Sequence, residues 1–214
     1  MPIWRIRMAM ALHESEMTEE RAEREFFETV KIFHRDSSME SQTIHRAYAV
    51  IKKVSTGKMR HEKGKSYISH PRTIAFALMF LNFYDYVSIV VALLHDLNED
   101  FPETWPHERL LSEFGLEIAH EVESLTRPPL SADIPTKQVR DTLYSKSLRR
   151  ASRRVKIIKI LDRLHNMKTF SLYSEEKRGR KIKETVDEIM PIAIEIGFSD
   201  EIEFFLKQWV GVTL

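Results

Sequence analysis

Cysteine is absent from the 214 residues, which excludes disulfides and every metal site built on thiolates. Glycine is scarce, six in the whole chain, and alternating apolar–polar runs are hard to find, so a fold of many short strands is not expected. An excess of one charge is also missing. Thirty-three Lys and Arg face thirty-two Asp and Glu, and the formal charge of +1 excludes nucleic-acid binding by bulk positive charge. No stretch approaches the ~18 uninterrupted apolar residues that a membrane span requires. The run Met8-Ala9-Met10-Ala11-Leu12, after Arg5 and Arg7, is too short for a signal-peptide core, and His13-Glu14 closes it. These absences lead to the expectation of a soluble, cytoplasmic protein with neither a nucleic-acid nor a membrane partner. What is present is core material: 43% hydrophobic residues with three Trp and twelve Phe, enough to exclude disorder and to fill one domain.

Most of the chain reads as helix. Thr18 is placed to cap a charged helix running to about His34, although Arg21 stands where a capping box wants Glu or Gln. A second helix is expected from about Ser41 to Val54, with Ile44, Ala47, Tyr48 and Ile51 at helical spacing. Ser55 to Ser69 is a polar connector holding Gly57 and Gly64. Pro71 suits the first turn of a helix to about Leu81, where its missing N–H costs nothing, and Asp85 opens the next, carrying Val87 to Leu94. Two short helices split at Gly115, and another spans Thr136 to Arg149. Val155-Lys156-Ile157-Ile158-Lys159-Ile160 has strand-like propensity, yet Val155, Ile158, Leu161, Leu164 and His165 keep helical spacing and no partner strand is available. Pro191 predicts a kink or break in a helix over Glu175 to Gly197, and a last helix covers Asp200 to Val210.

Two segments put charge where apolar residues dominate. His95-Asp96-Leu97-Asn98-Glu99-Asp100 follows Val90-Val91-Ala92-Leu93-Leu94, and Asp162-Arg163-Leu164-His165-Asn166-Met167 follows Ile157-Ile158-Lys159-Ile160-Leu161. Charged groups are rarely buried without a partner, and one divalent ion would satisfy both segments. His70, ahead of Pro71, adds a further imidazole. His70, His95, Asp96 and Asp162 then offer two nitrogens and two carboxylates, a mixture suited to a catalytic cation. On a helix, His95 and Glu99 share a face, which places Glu99 one turn from the ion, in reach of a water whose pKa the metal lowers. Each piece has a plainer reading: a His-Asp pair on a solvated face, a capping histidine, and a surface ion pair at Asp162-Arg163. The coincidence of three favours the metal. The basic run Lys146, Arg149, Arg150, Arg153, Arg154, Lys156 and Lys159 reads first as a solvated face and second as a clamp for phosphates.

The stretches Tyr67-Ile68-Ser69-His70-Pro71, Ala92 to Asp100, Phe114-Gly115 with Leu125-Thr126, and Leu161 to Met167 resemble the HD-domain phosphohydrolases. Within them they resemble the hydrolase domain of the RelA/SpoT family, which removes 3′-pyrophosphate from guanosine tetra- and pentaphosphate. The resemblance runs from roughly Ser41 to Leu172. It implies an all-α HD-domain helical bundle over residues 41–214, with residues 1–40 as an extension, helical and docked on the domain. It implies one divalent ion, manganese, held by His70, His95, Asp96 and Asp162. Glu99 and Asp100 would activate and orient the attacking water, Asn166 would contact the nucleotide, and Arg60 would pack on the guanine. The chain departs from the family pattern at Ser55 and Lys58, at Ser66 in place of proline, and at Phe101 in place of threonine. Most of these lie in the connector expected to recognise the base.

The expected activity is therefore metal-dependent hydrolysis of a small nucleotide, first of all the 3′-pyrophosphate of a guanosine alarmone, by a stand-alone hydrolase. A nucleotidase or phosphodiesterase of the same superfamily is the enzymatic alternative, and a nucleotide-binding module without turnover is the other. Glu99 and Asp100 argue against the last, since binding alone needs no water-activating group. The acidic N-terminal helix, with Glu19, Glu20, Glu23, Glu25 and Glu28, has no assigned role beyond docking or an oligomer contact.

Overall fold

The computed structural model describes residues 18–59 and 66–211. They fall into two compact units that meet in sequence at Thr126 and Arg127. Both are helical, and no strand forms among the described residues; the one β-bridge pairs Met59 with Ser66 across the connector. No helix among them is long and apolar enough to cross a membrane.

The first unit contains α1 (Glu19–Phe33), α2 (Met39–Val54), α3 (Ser69–Phe80), α4 (Tyr86–Leu94), α5 (Leu97–Asp100), α6 (His107–Phe114) and α7 (Leu116–Leu125). Side-chain caps set three of the starts. Thr18 accepts from the Arg21 amide at 3.3 Å, Ser38 from Ser41 at 3.1 Å and Asp85 from Ser88 at 3.0 Å, each satisfying an amide that the first turn leaves orphaned. Helix α2 begins two residues earlier than its periodicity predicts because Ser38 provides that cap. Gly115, at φ +83°, separates α6 from α7 in a conformation that a side chain would strain.

Helix α4 is the centre of this unit. Its residues Val87 to Leu94 are all buried, as an all-apolar helix must be, and α2, α3 and α7 pack around it. Helix α1 buries Ala22, Phe26 and Val30 at four-residue spacing and packs on α3. Phe26 stacks on Tyr48 with ring centroids 5.4 Å apart, and burying such a side chain contributes about 1.5–3 kcal/mol. Two ion pairs tie α1 down: Lys52 to Glu23 at 2.5 Å and Arg72 to Glu19 at 2.8 Å.

The second unit contains α8 (Lys137–Arg150), α9 (Arg153–Met167), a 3₁₀ turn (Phe170–Leu172), α10 (Glu175–Glu184), α11 (Met190–Ile196) and α12 (Ser199–Phe205). Helix α9 is its core, buried along most of its length and packed against α8, α11 and α12. Ser152 caps it by accepting from the Val155 amide at 3.2 Å. The strand-like valine and isoleucines follow tertiary burial rather than local propensity. The break predicted at Pro191 takes the form of a π turn over Thr185–Ile189 immediately before it. Proline has no amide to donate back to the fourth carbonyl before it, and the wider turn absorbs that loss. A second π turn, Leu206–Val210, follows α12.

Candidate metal centre

In the first unit, His70 lies in the opening turn of α3 while His95 and Asp96 form the turn between α4 and α5. The continuous helical face anticipated for His95 through Asp100 is broken here. The His95 ring supplies the reason: its Nδ1 lies 2.8 Å from the Ala92 carbonyl. A side chain that takes a carbonyl three residues back competes with the helix ladder. After two residues the ladder resumes, with the Asp100 amide donating to Asp96 O at 2.9 Å.

The same contact fixes the chemistry of His95. A carbonyl can only accept, so Nδ1 carries the proton and Nε2 is the nitrogen left to serve as a ligand. Asp96 Oδ2 lies 3.0 Å from that Nε2 and 3.6 Å from Nε2 of His70, and the two rings sit 5.0 Å apart. Both histidines are buried, while the Asp96 side chain is 35% exposed. Two imidazole nitrogens thus converge on one carboxylate oxygen. A cation placed among the three groups would need neither ring to carry an extra proton, and the donor set of nitrogen and oxygen fits a divalent metal.

Beyond Asp96, Glu99 is exposed on α5. Asp100 accepts a hydrogen bond from the Tyr67 hydroxyl, and the Tyr67 ring meets Phe101 edge-on at 5.7 Å. Lys58 Nζ stands 3.7 Å over the Phe101 ring. The Asp100 carboxyl is pushed above its ordinary value, first by burial and then by the charge of Asp96; the bond from Tyr67 and the charges of Lys58 and His95 oppose the shift. Arg60, expected to pack on a base, lies outside the described residues.

In the second unit, Asp162 sits in the middle of α9, 6% exposed. Asn166 Nδ2 donates to its Oδ1 at 2.6 Å and Lys159 Nζ to its Oδ2 at 2.9 Å. Burial alone would lower the Lys159 pKa, but the charges of Asp162 and Tyr144 outweigh it and the ammonium is held. The basic run is therefore not one surface. Lys156 pairs with Glu195 at 2.7 Å, Lys159 serves Asp162, and Arg149 and Arg150 end α8 in the open, where the helix dipole favours cations.

Three partners escaped the sequence reading. Lys159 belongs to the basic run by sequence, yet its spacing of three from Asp162 on a helix is the signal for a pair. Tyr67 carries no assigned task in the sequence motif, and nothing local links it to Asp100, thirty-three positions away. The pairing of Lys58 with Phe101 unites two of the departures from the family pattern. Three other histidines among the described residues have contacts away from this centre. His34 meets the Tyr84 carbonyl at 2.6 Å, His45 stacks on Phe27, and His107 faces Glu123 at 3.5 Å.

With this geometry in view, comparison with known proteins is decisive at the level of family. The HD domain family matches residues 47–195, a span that includes all four expected metal donors. The chain belongs to the HD-domain family. A GTP pyrophosphokinase of Myxococcus xanthus is 35% identical over 176 residues, covering 80% of this chain and 22% of that protein. A guanosine-3′,5′-bis(diphosphate) 3′-pyrophosphohydrolase of Aquifex aeolicus is 34% identical over 159 residues, covering 73% and 22%. The chain spans about a fifth of the length of these curated relatives. A solved structure described as a metazoan ortholog of SpoT that hydrolyses ppGpp aligns with a TM-score of 0.66 at 18% identity, over 78% of this chain and 94% of that one. That likeness establishes the shared fold, an all-α HD-domain architecture.

Proposed function

We propose that this HD-domain chain is a metal-dependent phosphohydrolase that removes the 3′-pyrophosphate from guanosine tetra- or pentaphosphate. The observation that carries the reading is the convergence of His70 Nε2 and His95 Nε2 on one oxygen of Asp96. The names of the curated relatives supply the substrate class. Residues 41–214 are taken as the hydrolase domain and 1–40 as its extension, working in the cytoplasm.

His70, His95, Asp96 and Asp162 would hold the ion, with manganese as the metal. His70, His95 and Asp162 are each buried and each offers a ligand atom, which is what a protein must supply to strip an ion of its water. The bound ion supplies positive charge that polarises the phosphoryl group and eases deprotonation of a water. Glu99 accepts the proton of the attacking water, a task that suits an exposed carboxylate whose position lets the proton pass on to solvent. Asp100, fixed by Tyr67, orients that water. Arg60 and Asn166 hold the nucleoside end. Water adds to the phosphorus next to the 3′ oxygen, the bond between them breaks, pyrophosphate leaves, and the 3′ oxygen takes up a proton to become a hydroxyl.

A substrate panel with manganese, and with a chelator in its place, tests the reading. Guanosine tetraphosphate should be consumed only in the presence of the metal. Monophosphate release from ordinary 5′-nucleotides without action on the alarmone would replace it with a nucleotidase. Glu99→Gln should slow turnover by ~10²-fold or more, the usual range for loss of a general base, with metal content unchanged; an unaltered rate removes Glu99 from the mechanism.

A further inference from the structure

Helix α1 has no task in the reaction above, yet its first residue reaches the helix that carries His70. Arg72 lies two residues after His70 in α3, and its side chain is only 3% exposed. Its Nη1 donates to Glu19 Oε2 at 2.8 Å and to the Tyr48 hydroxyl at 3.2 Å, while its Nε is buried with no hydrogen-bond partner. Glu19 is the only carboxylate that forms an ion pair with Arg72 among the described residues. Thr18 fixes the position of Glu19 by capping α1 immediately before it.

A buried guanidinium does not give up its charge, so it needs its counter-ion in place. Without Glu19 two things follow. The first turn of α3 loses the anchor that holds Arg72 against α1 and α2, and His70 stands in that turn. An uncompensated positive charge then also lies two residues from a group meant to bind a cation, and in a poorly solvated interior such repulsion is strong.

We propose that Glu19 is a positioning residue for the metal centre: by neutralising and anchoring Arg72 it fixes the turn of α3 that presents His70. The inference rests on the reading of His70, His95 and Asp96 as metal ligands. It gives the N-terminal helix a part in metal binding that docking alone would not.

The test is Mn²⁺ titration of the full chain by calorimetry, without substrate. Glu19→Gln should weaken Mn²⁺ binding about tenfold, the lower end of the range for residues that orient ligands. Adding Arg72→Met to Glu19→Gln removes the stranded charge and should restore most of the loss. Glu19→Asp, which keeps the charge and shortens the reach, should fall between wild type and Glu19→Gln, and it remains informative if Glu19→Gln does not fold. Lys52→Met cuts the other clamp of α1, the pair with Glu23, and should leave Mn²⁺ affinity unchanged. Equal losses in Lys52→Met and Glu19→Gln would overturn the proposal, because general docking of α1 would explain both. Wild-type affinity in Glu19→Gln and Glu19→Asp would overturn it as well. A wild-type chain that binds no Mn²⁺ would overturn the metal-centre reading, and this inference with it.

Discussion

Of the three segments that carry the expected metal ligands, the two with carboxylates handle buried charge in opposite ways. His95 and Asp96 stand where a helix stops: α4 ends at Leu94, the His95 ring occupies the Ala92 carbonyl, and Asp96 keeps partial contact with solvent. Asp162 stands within an unbroken helix, and there the carboxylate is neutralised on the spot, with one oxygen taken by Asn166 and the other by Lys159. An anion beside water and two imidazole rings can wait for a cation. One sealed in a helical core cannot, and α9 supplies a resident ammonium. In the proposed function, ion capture therefore falls to the first segment, and in the second the Asn166 and Lys159 partners would have to yield before Asp162 can serve.

That contrast is most exposed at His95. His95→Ala should abolish measurable Mn²⁺ binding and lower turnover by about 10³-fold, since the ion contributes several kcal/mol and each 1.4 kcal/mol is a factor of ten. Retained Mn²⁺ affinity in this variant would move the capture step away from the first segment. A smaller effect is expected at Asn166. Asn166→Ala frees one oxygen of Asp162 and should cost about tenfold in Mn²⁺ affinity, as for other groups that orient a ligand. A rise in KM with metal affinity intact would instead give Asn166 to the nucleotide alone.

The smallest effect concerns pH. Burial would raise the Glu184 carboxyl, but the hydrogen bond and charge of Lys181 and the charges of Arg163 and Arg127 outweigh it, so its folded pKa lies below the ordinary range. A depressed carboxylate contributes stability that is complete above its unfolded value and lost as pH falls through the folded one. Glu184→Gln should therefore flatten the loss of stability below about pH 4, by no more than about 1 kcal/mol for a partly exposed network. Denaturant melts of both proteins from pH 6 to pH 3, as order-of-magnitude bounds of that window, would show it; parallel curves would contradict it.

Much of this was legible in the residues. Caps at Thr18, Asp85, Thr136 and Ser152 have local signatures, and so do the split at Gly115 and the disturbance before Pro191. The helical character of α9 followed from its spacing against its propensity. The break at His95 was not legible, because periodicity cannot register a side chain that captures a carbonyl of its own helix. The bond from Tyr67 to Asp100 and the pair of Arg72 with Glu19 were hidden for a different reason. They join residues thirty-three and fifty-three positions apart, and only packing brings them together. The pair of Lys159 with Asp162 differs from these, because a separation of three on one helix is visible in the spacing.

In the proposed reaction water attacks the phosphorus next to the 3′ oxygen, and the 5′-diphosphate is left alone. The direct test is phosphorus NMR of guanosine tetraphosphate after incubation with the protein and Mn²⁺, with the paramagnetic ion removed on a chelating resin before acquisition. Both 3′-phosphate signals should disappear, free pyrophosphate should appear, and the 5′-diphosphate should persist as GDP. Inorganic phosphate appearing from the 5′ end, or no change with Mn²⁺ fully bound, would contradict it.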